Sequence, residues 1–238
     1  MISRKDFDGL EFIPRASSFS KLMGKKGLGK TGETYISEYL SEKIKGCRKE
    51  FSSKYTEKGT TQENESIALV NRVSGTNNVK NEKHFTHAYC TGTPDILPDK
   101  EVIDIKTNWD FFTFDAVDNT PEINPVYYYQ LMAYMMITGR MKAKLKYCLV
   151  DTPEKLIESE ITHLKWKENA GEDLSPLQIA NVISKHTYDD LPDAARVIDF
   201  EVSYDEDVVE LMHKRVDEAR VIFNNLKERK AKRYFNQK

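Results

Sequence analysis

The chain has 238 residues and a mass of 27.5 kDa, enough for one sizeable α/β domain with a buried core. With 39% hydrophobic and 31% charged residues it reads as globular, and no stretch approaches the roughly 18 unbroken apolar residues of a membrane span. The net charge of −2 hides an uneven spread: residues 1–60 carry thirteen Lys/Arg against eight Asp/Glu, Lys227 to Lys238 six against one, and residues 189–210 nine acids against Arg196.

At the N-terminus, Met1-Ile-Ser-Arg-Lys-Asp-Phe-Asp brings charge where a signal peptide needs an apolar stretch, so a cytoplasmic protein without a membrane partner is expected. Ser17 to Met23 and Thr31 to Ile44 read as helices separated by the glycine-rich Gly24-Lys-Lys-Gly-Leu-Gly29. A third helix is predicted over Thr60 to Val73, then a polar surface loop over Ser74 to Glu82. His84 to Cys90 reads as a strand. Asp95-Ile-Leu97, a Pro98-Asp-Lys100 turn and Val102-Ile-Asp-Ile-Lys-Thr107 read as a β-hairpin. Tyr127 to Gly139 is a helix stopped by its glycine, followed by a strand over Lys144 to Val150. Beyond a polar insertion come a strand over Arg196 to Val202 and a long charged helix from Asp205 to about Tyr234. Cys47, Cys90 and Cys148 form no CxxC pair and read as reduced, mostly buried thiols. The five histidines show no metal-ligand spacing; surface or strand positions account for them, His84-Phe-Thr-His87 included.

Strand alternation puts Val102, Asp104 and Lys106 on one face and Ile103, Ile105 and Thr107, the expected core face, on the other. An acid and a lysine in the middle of a strand of β-branched residues need a reason. Folding Asp95 back beside Asp104 supplies one: two carboxylates within reach of one divalent ion, with Lys106 at the edge.

Thr93-Pro94-Asp95 followed by Asp104-Ile105-Lys106 resembles the signature of the PD-(D/E)XK nucleases. Lys58-Gly59-Thr-Thr-Gln-Glu63 resembles the G-x-x-x-E element of phage recombination exonucleases. Helical phase alone leaves Glu63 and Glu65 both open, and the glycine spacing favours Glu63. Gln130-Leu-Met-Ala-Tyr134 resembles the QxxxY element of RecB-type nucleases, an i, i+4 pair on one helix face. The wider Tyr127–Gly139 stretch, the strand ending Cys148-Leu-Val-Asp151, and Arg15-Ala-Ser17-Ser-Phe are similar to the phage lambda exonuclease family, over residues 15–151 and in the family's order. Thr93 stands where a serine is common, and Asp104 where a glutamate is.

The resemblance implies a restriction-endonuclease-like α/β core, a central mixed sheet flanked by helices. It would form a single domain over residues 1–238, with a C-terminal strand and helix over 196–234. It implies Mg²⁺, with Mn²⁺ able to substitute, held by Asp95, Asp104 and the Ile105 carbonyl, with Glu63 as a further ligand. These hard oxygens suit either ion. Lys106 would orient the attacking water. Gln130 would hold the nucleophile side or a terminal phosphate with Tyr134 packed beneath, and Arg15 and Ser17 would seat that phosphate. The implied activity is 5′ to 3′ digestion of linear duplex ends in phage-type recombination, beside a single-strand annealing protein and in a ring-shaped trimer. A structure-specific or restriction-like endonuclease is the alternative on the same fold.

Two other classes compete. Gly24-Lys-Lys-Gly-Leu-Gly29-Lys30-Thr31 satisfies G-x-x-x-x-G-K-S/T, but a P-loop needs a buried strand ahead of it, and Ser17–Met23 is too polar and too helical. Lys30 in a lysine-rich loop touching DNA phosphates, or in a plain interhelical turn, explains the same residues. The other class is a non-catalytic DNA-binding module, against which the complete acid and lysine set argues.

Overall fold

The computed structural model describes residues 2–49, 53–168 and 172–235; Lys238 of the basic tail lies outside them. The chain opens with a short helix, α1 (Arg4–Asp8), then a 3₁₀ helix over Ala16–Leu22 where a helix over Ser17 to Met23 was predicted. The next predicted helix is α2 (Gly29–Lys45). The single helix expected over Thr60 to Val73 is two, α3 (Lys54–Thr61) and α4 (Glu63–Ser74), broken at Gln62. Ser53 and Thr56 form a capping box that starts α3 six residues earlier than the hydrophobic pattern indicates.

His84 to Cys90 is likewise two elements, β1 (Phe85–His87) and β2 (Cys90–Gly92), paired antiparallel. β3 (Val102–Thr107) occupies its predicted span, but its hairpin partner shrinks to one bridge, Ile96 to Ile103. β3 pairs parallel with β4 (Lys142–Cys148), and β4 antiparallel with β5 (Val197–Ser203), giving a mixed sheet in the order β3-β4-β5. Between β3 and β4 the chain crosses over through α5 (Phe111–Asp118), which sequence periodicity missed, and α6 (Pro125–Thr138). Gly139 ends α6 in the left-handed region at φ 69°, as its glycine predicted. The polar insertion holds α7 (Glu154–Glu168) and α8 (Pro176–Ser184), and the chain closes on α9 (Glu206–Phe235).

Both faces of the sheet are covered. Val102, Ala143, Leu145, Tyr147 and Val202 belong to the main core with Leu131, Met132, Ala133, Tyr134 and Met135 of α6. Helix α6 is apolar nearly all round because it lies between this sheet and the N-terminal elements. On the other face Ile103, Ile105, Cys148 and Val150 form a smaller cluster with Ile67, Leu69 and Val70 of α4. The expected assignment of faces is thus reversed in weight: the larger core packs on the side that carries Asp104, which buries its carboxylate completely. Helix α9 lays Val209, Met212, Val216, Ala219 and Phe223 against this core, three to four residues apart, with Phe223 among the rings of Phe12 and Tyr39. Cys90 and Cys148 are buried free thiols, whereas Cys47 is exposed. Among the described residues no helix is long and apolar enough to cross a membrane.

Candidate active site

The site forms at the C-terminal end of β3. Ile103 exchanges both backbone hydrogen bonds with Ile96, at 3.0 and 3.1 Å. Backbone groups two residues apart on a strand point the same way, so the Ile105 N–H also faces the 95–97 segment. It donates to Asp95 Oδ2 at 2.7 Å. The Ile105 carbonyl shares that side. Asp104, on the alternate face, points under α6, where Gln130 Nε2 donates to its Oδ1 at 3.1 Å and to the Tyr134 hydroxyl at 3.1 Å. Lys106 Nζ lies 2.6 Å from Asp104 Oδ2 and 4.9 Å from the centre of the Tyr127 ring.

The electrostatics follow from crowding. Burial pushes the Asp95 carboxyl well above the usual range, and the Asp104 charge pushes it further, against Lys106 and the Ile105 N–H. Burial alone would depress the Lys106 ammonium, but Asp104 and Asp95 outweigh it and raise its pKa. Tyr134 is raised by burial and then by Asp104, so its hydroxyl stays protonated. Of the two glutamates left open by helical phase, Glu65 is exposed, whereas Glu63 is half-buried and its charge acts on Asp95. Glu63 is held at 2.6 Å by Lys80 from the predicted surface loop, a residue sequence reasoning passed over. Nothing local marks it, since the two are joined only by folding across 17 residues.

Do these residues fit a divalent cation? Among the described residues, no three His, Cys, Asp or Glu side chains are arranged to hold a metal, and Glu63 is paired with Lys80. Asp104 Oδ2 is nonetheless a buried oxygen without a hydrogen bond, its Lys106 contact being an ion pair outside hydrogen-bonding geometry. Two converging carboxylates beside the Ile105 carbonyl, with Asp104 Oδ2 neutralised only by the Lys106 ammonium, make a hard-oxygen donor set. That set fits Mg²⁺ or Mn²⁺.

A cavity of about 760 Å³ adjoins Tyr134 and is lined by Arg15, Ser17, Lys43, Arg48, His84 and Thr93 among others. In its wall Gly92 lets the β2 backbone approach α6 closely: a Cβ there would stand 2.8 Å from the Tyr134 ring and 3.0 Å from Ala16. The Arg15 guanidinium bonds Glu42 through one nitrogen, so an acid that the sequence reading did not anticipate shares the expected phosphate pocket. Lys30 is not in this cavity; it is exposed at the start of α2, in a groove with Lys21, Thr34 and Glu38. The Gly24–Thr31 loop follows a 3₁₀ helix, not a buried strand, so the P-loop geometry is missing. His84 bonds Thr91 and Thr93 through its two ring nitrogens and contributes to the cavity wall.

Compared by sequence, the chain matches no protein-family model and no curated protein. Its fold, however, is shared with solved structures. A phage-related exonuclease from Haemophilus somnus 129PT superposes with a TM-score of 0.72 at 22% identity, over 92% of this chain and 97% of that one. LHK-Exo, an alkaline exonuclease from Laribacter hongkongensis, gives 0.63 at 18% identity, over 97% and 99%. LHK-Exo in complex with dAMP gives 0.66, again at 18% identity, over 97% of each chain. The expected α/β fold, a central mixed sheet flanked by helices, is therefore present and shared with these structures.

Proposed function

We propose that the chain is a magnesium-dependent exonuclease that hydrolyses linear duplex DNA from its ends, 5′ to 3′, in the cytoplasm of its host cell. The observation that carries the reading is the convergence of Asp95, Asp104 and Lys106 on one buried strand end, backed by Gln130 and Tyr134. Like charges crowded in a buried site are costly to the fold and characteristic of catalytic centres. The exonucleases that share the fold support the same class of reaction.

When bound, Mg²⁺ supplies Lewis acidity to the scissile phosphate and acidifies an attached water. Asp95, Asp104 and the Ile105 carbonyl provide its oxygens, with Glu63 as the further carboxylate. Lys106 stays protonated, orients the water and offsets charge developing on the phosphoryl oxygens. Gln130 fixes the Asp104 carboxylate, and the Tyr134 hydroxyl fixes Gln130. Attack forms the water oxygen–phosphorus bond and breaks the bond to the 3′ oxygen, leaving a 5′-phosphate.

Incubating linear and covalently closed duplexes with the protein and Mg²⁺, then with EDTA, tests the reading. Linear DNA should disappear, the circle should survive, and EDTA should stop the reaction. Rapid nicking of the circle would replace the exonuclease by an endonuclease.

Polarity rests on the cavity beside Tyr134. Arg15 spends one of its five N–H donors on Glu42, and Ser17 adds a hydroxyl, the groups that recognise a phosphate monoester. A 5′-phosphorylated end should be consumed faster than a 5′-hydroxyl end, and Arg15→Ala should erase the difference while leaving metal affinity alone. Equal rates on both ends of the unmodified protein would remove the terminal-phosphate pocket from the proposal. A ring-shaped trimer and a single-strand annealing partner rest on the family resemblance, and sedimentation on and off a duplex end tests the first.

A further inference from the structure

Between α4 and β1, residues 76–84 run as a strap without helix or strand. The strap is pinned on both sides of Lys80. Ahead of it, the Asn78 N–H donates to Asn71 Oδ1 at 2.9 Å, and Asn71 Nδ2 donates to the Asn78 carbonyl at 2.8 Å. Behind it, the Asn81 N–H donates to the Asp95 carbonyl at 2.7 Å, and Asn81 Nδ2 to the Pro94 carbonyl at 2.9 Å. One anchor is the helix that begins with Glu63 and the other is the segment that carries Asp95. Lys80 is therefore delivered by fixed backbone to the acidic centre, where its ammonium lies 2.6 Å from Glu63 Oε2, with Asp95 and Glu82 also drawing its charge.

Three carboxylates, Glu63, Asp95 and Asp104, then face two ammonium groups, Lys80 and Lys106. A divalent ion that drew on Glu63 would meet the Lys80 ammonium across one carboxylate, and like charges that close repel even though Lys80 is half exposed to solvent. We propose that Lys80 is an internal counter-ion that competes with the divalent metal for Glu63, occupying the carboxylate until the metal enters. The inference rests on the nuclease reading of the site. It also accounts for a centre with two converging carboxylates whose third is turned aside.

Calorimetric titration with Ca²⁺, used as a probe of metal binding alone, tests it on four proteins: unmodified, Lys80→Met, Glu63→Gln, and both together. Lys80→Met should tighten Ca²⁺ binding about two- to fivefold, the worth of a partly exposed ion pair. In the Glu63→Gln background the same change should do nothing. Unchanged or weaker binding by Lys80→Met overturns the proposal, and so does equal tightening with Glu63→Gln, which would make Lys80 only a distant field. If the methionine variant melts early, Lys80→Gln takes its place with the same expectations. Absence of Ca²⁺ binding in the unmodified protein would overturn the metal assignment as well, whereas binding abolished by Asp104→Asn but indifferent to Lys80 sinks this proposal alone.

Discussion

Asp104→Asn should lower the rate of duplex digestion by about 10² or more while leaving the fold intact. The amide keeps the size of the side chain and can still accept from Gln130, so the core beneath α6 loses no volume. What it loses is the buried charge that a divalent ion and Lys106 both require. Lys106 retains Asp95 as a neighbour, so the substitution does not strand a buried cation. Removing one of two crowded carboxylates also relieves the repulsion that raises Asp95, and thermal melting should stay level or move upward, a trade of stability for activity common at catalytic sites. Asp95→Asn and Lys106→Ala should fall similarly, because groups that act as a unit are not additive. Near-native digestion by Asp104→Asn would refute the site assignment; lost activity together with a collapsed melting curve would point to a damaged core instead.

Much of β3 was legible because its information is local. A period of two over Val102–Thr107 states which side chains share a face, and the Pro98 turn brings Asp95 back whether the return leg is a full strand or the single bridge that forms. Helix α6 was legible from its apolar run and terminal glycine, although it starts at Pro125, two residues ahead of the predicted Tyr127. Which face would carry the larger core was misread, since Asp104 and Lys106 mark their face as polar in sequence, and only the placement of α6 buries it.

The misread elements share a cause. The division of residues 84–92 into two strands has no glycine or proline to announce it. Its tip is fixed from far away: Arg220 of α9 donates to the Ala88 carbonyl, and the Tyr89 ring stacks on His213 at 4.0 Å. The helices of the insertion did carry a signal, Ser175-Pro-Leu-Gln178, which is the capping box that starts α8. The partners that qualify the site, Lys80 on Glu63 and Glu42 on Arg15, lie 17 and 27 residues from their counterparts on surfaces that read as ordinary solvated polarity.

Lys58 is the extreme case, a lysine in a polar helix that the fold buries completely. Its Nζ donates to the Trp109 carbonyl at 2.9 Å, tying α3 to the segment that leaves β3. Around it stand Asp110 and Asp151, the Tyr188 ring at 5.7 Å, and His186, whose own pKa is lowered by burial and then by Lys58. Burial depresses the Lys58 ammonium to about 7, against the pull of Asp110 and Asp151. The folded chain therefore releases this proton near pH 7, whereas the unfolded chain keeps it until about 10.4. Between those limits the unfolded state binds more protons, so stability rises with pH; below pH 7 both states hold the proton and the penalty is fully present. The contribution is of the order of 1 kcal/mol per pH unit within the window. Lys58→Met removes it, and Thr152 Oγ1, 3.3 Å from the Trp109 carbonyl, still satisfies that oxygen. Urea unfolding at pH 7, 8, 9 and 10 should show the unmodified protein gaining on Lys58→Met at each step, from its largest deficit at pH 7. A constant difference across the series would mean that Lys58 does not change its protonation on folding.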